Sequence, residues 1–331
     1  MNSLVSIVIP VYNGENFLSE AINSALSQTY SHIEVLVIND GSTDKTEDIA
    51  LSYGDKIRYY SKENGGVSTA LNLGISKMHG DYFSWLSHDD LYLPEKIAEA
   101  ISAIETSCNS STDIVYSDYT IIDKSGDTIA VTDIRHKYPD ADLTFGMFPL
   151  LKQMLNGCSM LIHKSHFIRV GVFDETLRAT QDYDLWFKMC QGVTFVYLNK
   201  PLVAMREHGA QVTHSYERNR VESDELWLKM LKHITREDTI RLGKTENYFW
   251  NNQIDFLSYT PYKDASAYAK SKLKEVGGTR IYTASSILRL VVYKILSTIS
   301  RLMRCFGIQK TLRESRLFRL GYKMWFGVRY K

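Results

Sequence analysis

LVSIVIPVYNGENFLSEAINSALSQTYSHIEVLVINDGSTD, residues 4–44, is the stretch that decides the fold. Leu4–Pro10 is an apolar run of strand length. Phe17–Gln28 follows as a helix, and Ile33–Asn39 is a second apolar strand. The pattern then repeats outward. Lys45–Ser52 is a short helix and Ile57–Tyr60 a third strand; Ser68–Met78 is a helix and Tyr82–Leu86 a fourth strand. Pro94–Glu105 is a helix with proline in its first turn, where the missing N–H costs nothing. Ile114–Ser117 reads as a fifth strand. Such alternation predicts an α/β fold, Rossmann-like, with a mostly parallel sheet covered by helices on both faces.

From Asp118 the pattern loosens. Ser125-Gly126-Asp127 is a hairpin turn, Cys158–His163 a strand, Lys164–Val170 a short helix, Asp182–Gln191 a helix and Val193–Leu198 a strand. Residues 217–275 are mainly helical, and Gly277-Gly278 marks a hinge.

Composition bounds what such a chain can be. Of its 331 residues, 44% are hydrophobic and 23% charged, which is globular and excludes disorder over the whole length. Cys108, Cys158, Cys190 and Cys305 form no C-x-x-C pair, so neither a structural zinc nor a disulfide framework is expected, and a reducing cytoplasm is. No run approaches the roughly 18 uncharged apolar residues of a membrane span, and the first residues lack the basic segment of a secretory signal. Net charge is +1 but uneven. Residues 280–331 carry twelve Lys/Arg against Glu314 alone, while residues 1–279 hold 27 Lys/Arg against 37 acids. A basic tail on an acidic body calls for an anionic partner.

Open parallel sheets bind ligands beyond the carboxyl ends of their strands. Pro10-Val11-Tyr12-Asn13-Gly14-Glu15 follows the first strand, Asn39-Asp40-Gly41-Ser42-Thr43-Asp44 the second, and Ser87-His88-Asp89-Asp90 the fourth. None is a G-x-G-x-x-G fingerprint or a P-loop. Vicinal carboxylates at a strand end suit another solution, a hard divalent cation neutralising a diphosphate.

Taken in order, these segments resemble glycosyltransferase family 2. Val5–Asn13 and Val37–Asp44 are similar to the family's opening. Asn64-Gly65-Gly66-Val67-Ser68 through Asn72-Leu73-Gly74-Ile75, then Gly80-Asp81-Tyr82 into Asp89-Asp90, continue the likeness. Gln181-Asp182-Tyr183-Asp184-Leu185-Trp186 resembles its acceptor-side acidic motif, and Arg206-Glu207-His208 with Gln211 its closing R-x-H motif. The resemblance covers roughly residues 3–215. It implies a GT-A fold and an inverting transfer from a nucleoside-diphosphate sugar, UDP before dTDP or GDP, with Mg²⁺ or Mn²⁺ as cofactor. Two positions depart from the pattern. Ser87 stands where the metal motif D-x-D-D has its first acid, and Leu71 where an arginine usually precedes Asn72.

The roles follow the resemblance residue by residue, each beside a plainer alternative. Pro10, Tyr12 and Asn13 would wall the base pocket, with Glu15 on the nucleotide or in the first helical turn. Asp40 would accept hydrogen bonds from base or ribose, unless Asp40-Gly41-Ser42 is only a turn. Ser42, Asn64, Gly66, Asn72 and His88 complete the nucleotide-sugar set. Asp89 would ligate the metal, with Asp90 behind it or capping the next helix; an acidic helix N-terminus is the alternative. His208 would reach diphosphate or metal, or be a surface histidine. Asp182 would be the general base for the acceptor hydroxyl, against an N-cap carboxylate, with Asp184 its competitor. Asp118 would shape the acceptor side.

The expected organisation is a catalytic domain over 1–215, in nucleotide-binding (1–105) and acceptor (106–215) halves, a helical extension over 216–279, and a basic amphipathic tail over 280–331. In the tail, Leu288, Val291, Val292, Ile295, Ile299, Leu302, Met303 and Phe306 share one helical face, opposite Arg289, Lys294, Arg301 and Arg304. Basic residues interleaved with Trp325 and Phe326 describe an interfacial membrane helix, with packing on the catalytic domain as the alternative. A nucleic-acid arm would carry less aliphatic surface, so no nucleic-acid partner is expected. Together these place the chain on the cytoplasmic face of the membrane, extending a glycan or polyprenyl-linked acceptor in cell-surface polysaccharide synthesis. Two rival readings are a sugar nucleotidyltransferase, which would want a glycine-rich basic loop at Pro10–Glu15, and a degenerate membrane-docked binding subunit.

Overall fold

The computed structural model describes residues 3–107, 113–208, 216–258, 260–281 and 328–330. The chain divides into two compact units, residues 1–212 and 213–330, with Lys331 grouped with the first.

The first unit is built on β1 (Val5–Val11), whose seven residues are all buried. It pairs in parallel with β2 (Ile33–Asn39), Val5 opposite Ile33 and Val11 opposite Asn39. β3 (Arg58–Ser61) extends the sheet beyond β2, and β4 (Tyr82–Trp85) lies on the other side of β1, both parallel. A two-residue strand, β8 (Ile162–His163), closes the edge antiparallel to β4, giving the order β3-β2-β1-β4-β8. The four parallel strands stand where the apolar runs put them. Helices make the crossovers: α1 (Leu18–Leu26), α2 (Thr46–Leu51) and α3 (Val67–Lys77), with α4 (Lys96–Thr106) following β4. α1 buries Leu18, Ala21, Ile22 and Ala25, one stripe at i, i+3, i+4, i+7.

Ile114–Ser117 does not join this sheet, which corrects the fifth-strand expectation. It opens a longer strand, β6 (Ile114–Ile122), in a second sheet. β7 (Thr128–Thr132) pairs with it across the hairpin at Ser125-Gly126-Asp127, where Gly126 takes a positive φ. β9 (Phe195–Arg206) runs parallel to β6, and β5 (Leu91–Tyr92) flanks β9, giving β7-β6-β9-β5. β9 continues well past Leu198, where Asn199-Lys200-Pro201 reads as a break. The pairing jumps from Ser117–Leu198 to Asp118–Pro201, so a bulge takes up the interruption and the strand resumes. Cys158–His163 is likewise shorter as strand than expected: a 3₁₀ turn (Gly157–Ser159) precedes β8. Short helices α5 (Ile134–Lys137), α6 (Asp140–Leu143), α7 (Met147–Leu151), α8 (Ser165–Val170) and α9 (Gln181–Met189) fill the interval before β9.

The second unit is helical: α10 (Tyr216–His233), α11 (Arg236–Gly243), α12 (Glu246–Leu257) and α13 (Lys263–Glu275), with a last short strand β10 (Val328–Tyr330). α11 starts with a capping box, Thr235 and Asp238 exchanging side-chain and backbone bonds. Gly277-Gly278 is a helix stop rather than a hinge. Gly277 has φ +66°, its amide bonds to Lys274 O, and the Gly278 amide reaches back to Leu273 O. That is the paired-bond ending that satisfies the last carbonyls of a helix. The amphipathic helix read over 285–306 and most of the basic tail lie outside the described residues. Among the described residues no helix is long and apolar enough to cross a membrane.

Candidate functional site

The strand-end loops of the first sheet interlock. Asn13, at φ +51°, donates its amide to Ser42 Oγ (2.9 Å) and accepts the Thr43 amide on Oδ1 (2.8 Å). Glu15 donates its amide to Asp44 Oδ2 and accepts the Lys45 amide on Oε2. Asn13, Glu15 and Ser42, each expected at the nucleotide, are therefore brought together, and they brace one another. Pro10 lies inside β1, while Tyr12 stands at the rim, 49% exposed.

Asp40 is only 3% exposed. Its Oδ1 accepts from Lys62 Nζ (2.6 Å) and the Gly65 amide (3.0 Å), and its Oδ2 accepts the Gly66 amide (2.7 Å). The carboxylate thus folds the 62–66 loop over the end of β2. Gly66 has φ +93°, a backbone conformation that favours glycine, and the Arg178 guanidinium lies over it. Asn64 is exposed beside Gly41. Asn72 is tied to a distant segment. Its Nδ2 donates to Phe173 O and Glu175 Oε1, both 2.9 Å, and its Oδ1 accepts the Phe173 amide at 3.0 Å. Its amide group is spent holding that segment.

Beyond β4 the acids sit in a denser setting. Asp89, 8% exposed, receives His208 Nε2 on Oδ2 at 3.0 Å, and the His208 ring lies 5.2 Å from that of Phe17. The 119-residue separation of these partners is closed by β9, whose last residue, Arg206, is 1% exposed. Arg206 donates its amide to Asp90 Oδ1 (2.8 Å), Nε to Asp89 O (2.9 Å) and Nη2 to Glu20 Oε2 (2.7 Å), and stacks its guanidinium 4.6 Å from the Phe17 ring centre. Asp90 is wholly interior. Burial, then the charge of Asp89, pushes its carboxyl up to about 8. The Cys158 thiol lies 3.3 Å from Asp90 Oδ2 and 3.4 Å from Ser87 Oγ, and burial raises its pKa too. His88 packs against Gly14, and burial lowers its pKa.

Asp182 stands in the first turn of α9, accepting the Tyr183 amide on its own carboxylate (2.8 Å). Asp184 is buried and ion-paired to Lys188 at 2.6 Å, which leaves Asp182 the more accessible of the two. Tyr183 Oη bonds both the amide and the carbonyl of Leu155 at 3.1 Å. Three residues on, Cys158 touches Ser87 and Asp90. The Leu155–Cys158 segment therefore joins the start of α9 to the acidic loop after β4. Asp118 is committed to structure: Thr132, Tyr197 and the Ile134 amide all donate to it. Gln211 lies outside the described residues.

Cys158, Lys96 and the anchoring role of Arg206 are absent from the sequence reading. Arg206 carried a signal, standing two residues before His208 at the end of an apolar run. Lys96 carried none. It is fully buried, bonds Ser84 Oγ, Tyr92 Oη and Met160 O, and faces the Tyr92 ring at 4.4 Å. Burial pulls its ammonium down to about 7.

Among the described residues no three His, Cys, Asp or Glu side chains cluster as a complete metal cage. The Asp89–His208 pair nonetheless fits a divalent cation, offering one carboxylate and one imidazole at hydrogen-bond separation. A hard cation commonly takes one or two protein ligands and completes its shell with phosphate oxygens and water.

Comparison with known proteins bears on family and fold. The family model for Glycosyl transferase family 2 matches residues 6–176. An uncharacterized glycosyltransferase of Rickettsia bellii is 46% identical over 280 residues, covering 82% of this chain; the aligned part is only 40% of that relative's own length. Among solved structures, S. aureus TarS 1–349 in complex with UDP-GlcNAc superposes with a TM-score of 0.57 at 15% identity, covering 84% of this chain and 93% of that one. The mannosyltransferase PcManGT from Pyrobaculum calidifontis, in complex with GDP-Man and Mn²⁺, gives 0.53 at 14% identity, covering 98% and 87%. The two structures share the GT-A fold with this chain. With its parallel sheet, its acidic strand-end loop and these matches in agreement, the chain belongs to glycosyltransferase family 2.

Proposed function

We propose that this protein transfers a sugar, with inversion, from a nucleoside-diphosphate sugar to a hydroxyl of a glycan or polyprenyl-linked acceptor. The observation that carries the reading is the pairing of Asp89 with His208 beyond β4, joined through Leu155–Cys158 to the helix whose first turn holds Asp182. Asp89 and His208 would hold Mg²⁺ or Mn²⁺, which when bound neutralises charge on the departing diphosphate. The loops after β1 and β2, stiffened by the Asn13, Glu15 and Ser42 cross-braces, would present the nucleotide pocket at whose rim Tyr12 stands. Asp182 would accept the proton of the acceptor hydroxyl as that oxygen attacks the anomeric carbon. Arg206 would keep His208 opposite Asp89 without touching substrate.

UDP-linked hexose or N-acetylhexosamine is the proposed donor, supported by the fold shared with TarS in its UDP-GlcNAc complex. The proposed setting is surface-polysaccharide synthesis at the inner face of the cell membrane, with the basic residues of 280–331 against anionic lipid. The test of the donor site is UDP binding by calorimetry with and without Mn²⁺. Asp89→Ala is expected to weaken binding roughly ten-fold or more with metal and little without it; equal affinity under both conditions in the wild type would refute the metal assignment.

A further inference from the structure

Three hydrogen bonds tie α3 to Phe173 and Glu175: Asn72 Nδ2 to Phe173 O and to Glu175 Oε1, and the Phe173 amide to Asn72 Oδ1. A fourth tie sits one loop earlier, Arg178 Nη1 to Gly65 O at 2.7 Å, with the guanidinium lying over Gly66. The segment between Phe173 and Arg178 is therefore held at both ends by one rigid unit, α3 and the loop that leads into it. That loop is itself fastened to the end of β2 by Asp40. Four residues past Arg178 the chain reaches Asp182. Phe173 is buried with its ring 6.1 Å from Trp85, the last residue of β4, so the segment also abuts the strand that delivers Asp89.

We infer that Asn72 and Arg178 are positioning residues that set the Asp182 carboxylate relative to the donor side of the site. The inference rests on the base role proposed for Asp182. The geometry gives each tie a direction. Asn72 spends both amide hydrogens and its oxygen on main-chain and carboxylate groups 101 to 103 residues away, a commitment that fixes a loop rather than a helix. Arg178 is exposed, so its bond to Gly65 O adds little to the core, yet it ties the chain three residues before α9 begins. A general base works only within hydrogen-bond reach of its proton, and a displacement of about 1 Å can cost on the order of a hundred-fold in rate. The two ties act at the ends of the stretch that leads into Asp182.

The experiment measures UDP-GlcNAc turnover to UDP, and UDP affinity, in Arg178→Met and Asn72→Ala, each alone and combined with Asp182→Asn. Arg178→Met removes the bond from an exposed side chain and keeps its aliphatic stem, so the fold is not at stake; melting temperatures check Asn72→Ala. Each single variant is expected to lose about ten-fold or more in kcat with UDP affinity within about two-fold, and to add nothing to the loss in the Asp182→Asn background. Unchanged turnover, a parallel fall in UDP affinity, or the same loss repeated on top of Asp182→Asn would overturn the positioning role. Asp182→Asn alone keeping wild-type turnover would instead strike the base assignment, and this inference with it.

Discussion

Asp89 and Asp90 are neighbours in sequence with opposite surroundings. Asp89 faces a histidine. Asp90 is interior, bonded by the Arg206 amide and beside the Cys158 thiol. Ser87 becomes intelligible beside them: its amide and hydroxyl lie against Cys158 Sγ, which itself touches Asp90. An acid at position 87 would crowd a second carboxylate toward one that burial already drives up to about 8. Lys96 makes a sharper prediction at this scale. Its amine titrates near 7 in the fold and at the ordinary 10.5 in the unfolded chain. Between those values the unfolded chain holds the proton that the native state has released, so this group makes stability rise with pH and withdraws that gain as pH falls toward 7. Asp90 pulls the other way up to about 8 and the buried Cys158 thiol, its pKa raised, does so from about 9, so the Lys96 contribution is read as the difference between variant and wild type over a window of about pH 7 to 10. In urea titrations across it, Lys96→Met is expected to show a smaller rise than wild type; identical slopes would mean Lys96 is not held deprotonated.

At the scale of elements, helix against strand is the contact that positions everything above it. α3 crosses β1 where Gly74 meets Val8, and a Cβ at 74 would fall inside the Val8 side chain. Gly74→Ala is expected to cost about 1–3 kcal/mol by overpacking, read as a lower urea midpoint, and Val8→Ala in the same chain to recover part of it; additive losses would contradict the contact. The parallel core was legible because β1 and β2 are largely apolar runs, interrupted only by Ser6 and Glu34 before the closing Asn39, with a helical stripe between them. The second sheet was not. β9 is interrupted by Asn199-Lys200-Pro201, a local signal for a loop, and only the pairing with β6 supplies the bulge that carries the strand across. Gly277-Gly278 is the same lesson in a helix: two glycines permit a hinge or a stop, and the bonds to Leu273 and Lys274 decide for the stop. Site residues followed suit. Sequence shows that an amide or carboxylate is available and not which backbone will claim it: Asp40 holds the Gly65 and Gly66 amides, and Asn72 holds Phe173.

At the scale of the whole chain, charge is unevenly placed along the sequence. Twelve basic residues and one acid occupy 280–331, against an acidic remainder. Polybasic segments gain about 1 kcal/mol per residue at an anionic surface and lose it to salt. The full chain is expected to sediment with phosphatidylglycerol vesicles at low salt and to be released by about 0.5 M NaCl, and a chain ending at residue 279 is expected to stay in the supernatant. Vesicle binding that survives the truncation would assign membrane contact to another surface. The account as a whole turns on one carboxylate acting on the acceptor rather than on the nucleotide. The most direct measurement is therefore UDP-GlcNAc turnover and UDP affinity in Asp182→Asn side by side: turnover is predicted to fall roughly a thousand-fold with UDP affinity unchanged, and near-normal turnover, or a loss of UDP binding in step with it, would contradict the account.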